Sequence, residues 1–310
     1  MKIAFLLSAL ALVFGCKSRS SGGSSNIMAD LAAKDGSFPM YQSIYYGKVL
    51  GYPDIVVLTD EIVKKILAGE ITDDGKTKYL AEGDMLLTLE QVKGRYGTEL
   101  GISARICEKG ERWRNATVKY SFDGVDDDHR SQHISVIKEA MADWTAKTGI
   151  RFVEVDDADD GVNFVTSATD NTGCWSEFGR SARTVNLGST CWNVPRAARH
   201  EIGHVMGLRH EQTRKDRDDF VDIDFGNIES EYKHNFEKEG CFDSNLPFDF
   251  NSVMLYGSFS FSKNGEPTIV KTNGDTFDAP QAISQWDART IIQFYDLDGG
   301  DDDDDDDNDD

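Results

Sequence analysis

The chain has 310 residues and a net charge of −22; nine of those charges are Asp residues in the last ten positions, and without them the body still carries −13. So acidic a surface argues against a nucleic-acid partner, because phosphate binding calls for a basic stripe. The length and the 39% hydrophobic content allow one or two domains with a sizeable core.

In chain order, MKIAFLLSALALVFGC comes first, with one early lysine, an apolar run over 3–14, then Gly15 and Cys16. The run is too short to span a bilayer and reads as a signal peptide over residues 1–15, so export is expected. A cysteine directly after a small residue resembles a bacterial lipobox, in which Cys16 is acylated and holds the chain to a membrane. KSRSSGGSSN then supplies a flexible polar tether. In an oxidising compartment Cys107, Cys174, Cys191 and Cys241 can pair in three ways, and sequence does not choose among them.

Residues up to 105 carry mixed signals. YPDIVVLTDEIVKKILAGE predicts a short strand and then a short helix, and GDMLLTL another strand, with no strong core pattern and no internal repeat. From Trp113 the pattern sharpens. TVKYSF predicts a strand with Val118, Tyr120 and Phe122 on one face. HISVIKEAMADWTAKTG places Ile134, Ile137, Met141 and Trp144 at helical spacing and stops at Gly149. IRFVEV and VNFVT follow as strands. NVPRAARHEIGHVMG predicts a helix capped by Asn193, with Pro195 in its first turn and its end at Gly207. A last helix is expected in ISQWDARTIIQFY. Strands and helices in this order imply an α+β domain over 106–298. The acidic stretch 299–310 is expected to be disordered, with weak calcium or cell-surface binding as the function it suggests.

HEIGHVMGLRH, residues 200–210, holds three of the six histidines. On a helix His200 and His204 project from one face, and Glu201 lies one step round, in reach of a metal-activated water without being a ligand. That is the HExxH arrangement of zinc hydrolases. Gly207 falls where the helix must stop and turn to bring back His210, and glycine takes the positive φ such a turn needs. Three histidines and one open position make a catalytic zinc site.

With its continuation, HEIGHVMGLRHEQTRKDRD resembles the signature of the astacin family of metzincin endopeptidases. Glu211 and the run Arg214, Asp216, Arg217 and Asp218 carry the likeness, with Leu208 where the family usually has phenylalanine. SVMLYG resembles the family's Met-turn, with Leu255 at a usual histidine. The resemblance covers about Arg112 to Asp298. It implies an α+β metzincin fold with a mixed sheet, two long helices and an active-site cleft between N- and C-terminal subdomains. It also implies one catalytic zinc on His200, His204 and His210, Glu201 as general base, and Met254 packed beneath the metal. Tyr256 would ligate the resting zinc and swing away to stabilise the oxyanion. Cys174–Cys191 is the implied disulfide. The family's second bridge lacks its cysteines here, which leaves Cys107–Cys241 as the candidate pair.

AEGDMLLT resembles the family's propeptide motif, with Ala81 at a usual phenylalanine, and makes Asp84 the zinc ligand that shuts the site in the zymogen. Cleavage at Arg95 or Arg105 would free an N-terminus that the family seats near Glu211, and would release the protease from an anchor at Cys16. The resulting organisation is a signal peptide (1–15), tether and propeptide (16–105), catalytic domain (106–298) and acidic tail (299–310), acting on protein or peptide substrates. The rival reading is a catalytically silent, zinc-stabilised surface binding lipoprotein, against which the presence of both Glu201 and Tyr256 argues.

Overall fold

A computed structural model describes residues 55–96, 112–156, 161–166, 173–189, 191–238 and 246–298. The signal segment, Cys16, Arg105, Cys107, Cys241 and the acidic tail lie outside the described residues. No described helix is long and apolar enough to cross a membrane.

The frame is an eight-stranded mixed sheet. Its strands are β1 (Ile55–Val57), β2 (Lys78–Ala81), β3 (Met85–Leu87), β4 (Thr117–Val125), β5 (Arg151–Glu154), β6 (Val162–Thr166), β7 (Cys174–Glu177) and β8 (Thr184–Leu187). They lie in the order β1-β2-β3-β7-β8-β6-β4-β5. A separate antiparallel pair joins β9 (Val221–Ile223) to β10 (Ile269–Lys271). Within the large sheet β4, β5, β6 and β8 run parallel, and β7 turns back antiparallel to β8. β2 and β3 form a hairpin closed by Glu82, Gly83 and Asp84, and β3 pairs parallel to β7 through Met85↔Ser176 and Leu86↔Glu177. Strands before residue 105 are thus hydrogen-bonded into the same sheet as strands after it.

Among the described residues five α-helices complete the fold: α1 (Asp60–Leu67), α2 (Leu89–Tyr96), α3 (Arg130–Thr148), α4 (Pro195–Val205) and α5 (Gln285–Phe294). Val118, Tyr120 and Phe122 of β4 share a buried cluster with Ile137, Met141 and Trp144 of α3, the faces that their periodicities of two and 3.6 select. Gly149, at φ +83°, ends α3 by returning its N–H to Thr145. α3 and α4 pack together, and Trp144 Nε1 donates to the Arg199 carbonyl at 2.9 Å. Ser284 and Asp287 cap α5 reciprocally.

Two sequence expectations need correction. α4 is not capped by Asn193: the N-cap is Val194, which makes no side-chain cap bond, and Pro195 occupies the first turn. A proline there has no N–H to satisfy, so a side-chain cap matters less. The segment before residue 105 also has a core, which its pattern did not reveal. Leu58, Ile66, Tyr79, Met85, Leu87, Leu89 and Val92 bury together, and Phe178, from just after β7, completes the cluster. Cys174 and Cys191 are disulfide-bonded (Cα–Cα 6.2 Å), tying β7 to the turn before α4.

Candidate metal centre

The site lies where two cores meet: Met254 belongs to the sheet-and-helix cluster, Leu255 and Tyr256 to a C-terminal one with Val221, Phe236 and Ile269. α4 supplies His200, Glu201 and His204, all buried. Gly207, at φ +102°, then turns the chain; a Cβ there would also stand 3.0 Å from the Phe294 ring. Leu208 N–H bonds back to the Gly203 carbonyl at 2.9 Å, and the chain returns with His210.

The three imidazoles converge. His200 Nε2 and His210 Nε2 are 3.1 Å apart. Asp84 comes in from the β2–β3 hairpin, with Oδ2 at 3.2 Å from His200 Nε2 and 3.3 Å from His210 Nε2. Its Oδ1 stands 3.6 Å from His204 Nε2. All four ligand atoms lie within 4.8 Å of one another. Each outer nitrogen has its own acceptor: His200 Nδ1 on Val253 O at 2.8 Å, His204 Nδ1 on Leu208 O at 2.8 Å, His210 Nδ1 on Glu82 Oε2 at 2.6 Å. With Nδ1 donating, each Nε2 presents a lone pair inward.

That donor set fits zinc, which takes imidazole nitrogens and carboxylate oxygens in fourfold coordination. Two atoms show what the protein leaves open: His204 Nε2 and Asp84 Oδ1 are buried without a hydrogen-bond partner among the described residues and face one another. Burial pushes His200 down to about 3, so the ring is neutral and able to ligate. Burial alone would raise the Asp84 carboxyl, but His210, and after it the close approach of the other imidazoles, hold it well below the usual range. Glu201 moves the other way: burial, then the Asp84 charge, raises it well above an ordinary glutamate. Neither of its oxygens has a hydrogen-bond partner among the described residues.

The other singled-out residues brace this centre. Asp287 receives Ser252 Oγ at 2.6 Å and Val253 N–H at 2.8 Å, fixing the turn that carries Met254. A Cβ on Gly203 would come within 2.7 Å of Met254 Sδ, so the glycine lets the helix rest on that side chain. Gly203→Ala should therefore lose about 1–3 kcal/mol of stability through overpacking, measured by denaturant unfolding; an equally stable variant would show that Met254 can move aside. Glu211 binds Arg214 (3.0 Å) and Asp249 N–H (2.8 Å), and burial pushes its carboxyl up to about 7. Tyr256 lies against His210, ring centroids 4.6 Å apart, but its hydroxyl donates to the backbone carbonyl of Glu82.

Glu82 is the residue that sequence reading missed. It is 1% exposed, sits at φ +52°, and touches both His210 and Tyr256. Its one local signal was its place in EGD, where a glycine marks a tight loop.

The chain is similar to known proteins. The family model described as Astacin, a peptidase family, matches residues 105–296. The chain is 32% identical over 245 residues to Protein SpAN of Strongylocentrotus purpuratus, covering 74% of this chain and 38% of that protein. It is 33% identical over 203 residues to Blastula protease 10 of Paracentrotus lividus, covering 61% of this chain and 33% of that one. With zinc metalloproteinase nas-4 of Caenorhabditis elegans it shares 30% identity over 237 residues, 74% of this chain and 73% of the relative. The chain thus spans about a third of the length of the first two. Among solved structures, the hatching enzyme zinc-protease HCE-1 of Oryzias latipes superposes with a TM-score of 0.53 at 29% identity, covering 63% of this chain and 97% of that one.

Proposed function

The chain belongs to the astacin family of zinc metalloproteases, and on that premise we propose that it is made as a latent zinc endopeptidase, silent while the residues before Arg112 stay attached. The observation that carries latency is Asp84, whose carboxylate stands where the three imidazoles converge. A carboxylate there excludes the water that a hydrolase needs.

In the cleaved protein His200, His204 and His210 would hold one zinc ion. Bound zinc supplies Lewis acidity, polarising the scissile carbonyl and making water acidic enough to react near neutral pH. Glu201 accepts the proton of the attacking water and delivers it to the leaving amine, a role that suits a carboxylate made more basic by burial. Tyr256, released from the Glu82 carbonyl, turns its hydroxyl toward the developing oxyanion. Met254 supports the site from below. β7 is covered by β3 in the full chain. Uncovered, it becomes a sheet edge to which an extended peptide substrate adds as a strand.

Removing residues 16–105 as a propeptide fits this scheme, with Arg95 or Arg105 as the cut and the new N-terminus seated near Glu211. MKIAFLLSALALVFGC supports export and acylation at Cys16, so that cleavage would also free the protease from a membrane. The relatives named above come from sea urchins, a nematode and a fish, so a bacterial source rests on those sixteen residues alone. The catalytically silent alternative has no residue in its favour, since Glu201 and Tyr256 are both in place.

The test is casein hydrolysis. Protein cleaved before Arg112 should digest casein, lose the activity to a chelator and regain it with zinc, while the full chain stays inert. Cleaved protein that carries zinc and still leaves casein intact would refute the reading.

A further inference from the structure

We infer that Glu82 is the positioning residue for His210 in the latent chain, so that the hairpin which blocks the metal site also buttresses it and zinc is held more tightly before cleavage than after. The inference rests on the latency reading above and concerns a different side chain.

The asymmetry among the three histidines carries it. His200 and His204 give their Nδ1 hydrogens to carbonyls of the catalytic half, Val253 and Leu208. His210 gives its own to a carboxylate that belongs to the β2–β3 hairpin. A second-sphere acceptor fixes the tautomer and ring orientation of a metal-binding histidine and raises its basicity. A charged acceptor does so more strongly than a neutral carbonyl, through a shorter, charge-assisted bond. The third ligand is therefore oriented by the segment that cleavage removes.

Burial and backbone agree with a dedicated role. Glu82 is 1% exposed, and its left-handed φ of +52° is uncommon for a residue with a side chain. Gly83 follows at φ +88°, so two successive left-handed residues turn the loop and deliver Glu82 and Asp84 to the same imidazole cluster. The Glu82 carbonyl meanwhile takes the Tyr256 hydroxyl. One residue thus steadies a ligand with its side chain and occupies the oxyanion donor with its backbone.

Zinc release from the full-length chain tests this without any proteolysis. All proteins carry Glu201→Gln to prevent self-cleavage, are loaded with zinc, and are mixed with excess chelator and an indicator dye. Loss of a second-sphere partner typically costs about 10–100-fold in metal affinity. Glu82→Ala should release zinc faster by about that factor, and Glu82→Gln, which keeps a neutral acceptor, by less. Protein cleaved before Arg112 should behave like Glu82→Ala or release faster still. A strongly downfield His210 Nδ1–H resonance should be present in the parent and lost in Glu82→Ala, a change that simple loosening of the hairpin would not confine to one ring. If the alanine variant does not fold, Glu82→Gln, matched in size, decides the matter. Asp84→Ala separates the two ideas. Should it speed release while both Glu82 variants match the parent, the inference is overturned and latency stands. Should Asp84→Ala leave release unchanged, the latency reading itself falls.

Discussion

Cleaved protein carrying Glu201→Gln should fold, bind one zinc ion and lose about 10²–10⁴-fold in kcat. The substitution is nearly isosteric and the three histidines are untouched, so zinc content and unfolding midpoint should match the parent. What disappears is a proton acceptor. At this site that acceptor is buried, and burial raises it well above an ordinary glutamate against the opposing pull of Ser176 and Arg196. The loss should fall on kcat with KM little changed, because the role proposed for Glu201 is on the reacting water and not on substrate binding. A fall confined to KM, or activity that survives, would remove Glu201 from the reaction.

Asp84→Ala in the full-length chain should produce the second large effect, a gain of function. Removing the carboxylate from Nε2 of His200 and His210 opens the position it holds at 3.2–3.3 Å. A buried charge-assisted contact of this kind contributes about 1.5–3 kcal/mol, which corresponds to roughly a 10- to 100-fold rise in hydrolysis of short fluorogenic peptides. Casein hydrolysis should rise less, because β3 still covers β7. The difference between the two substrates separates blockage of the metal from blockage of the strand. Equal gains on both would mean that the hairpin leaves the sheet once its aspartate is gone.

The histidine cluster was legible because its information is local. His200 and His204 take their places from spacing on one helix, and His210 from the glycine turn at its end. Met254 and Tyr256 are a different case. A methionine and a tyrosine two residues apart look like ordinary core, and the resemblance alone singled them out. Glu82 was out of reach, since its partners lie 128 residues away at His210 and 174 away at Tyr256. The core of the N-terminal segment was hidden for a related reason. β1 and β3 have three residues each and β2 has four, too few to show a period, and Phe178 and Trp175 complete their burial from beyond residue 170. Asn193 failed as a cap because the helix begins at Pro195, which puts Val194 and not Asn193 at the cap position.

Removal of β1–β3 would leave a stretch of unpaired backbone along β7, with Trp175 and Phe178 stripped of the hydrophobic neighbours that now cover them. Such a border accepts any extended chain, including another copy of the same protein. Access for substrate and resistance to self-association then make opposite demands on one surface. The chain's excess of acidic residues acquires a purpose in this light: like-charged molecules stay apart in solution, and the cleaved protein would depend on that repulsion most at low ionic strength and least in salt.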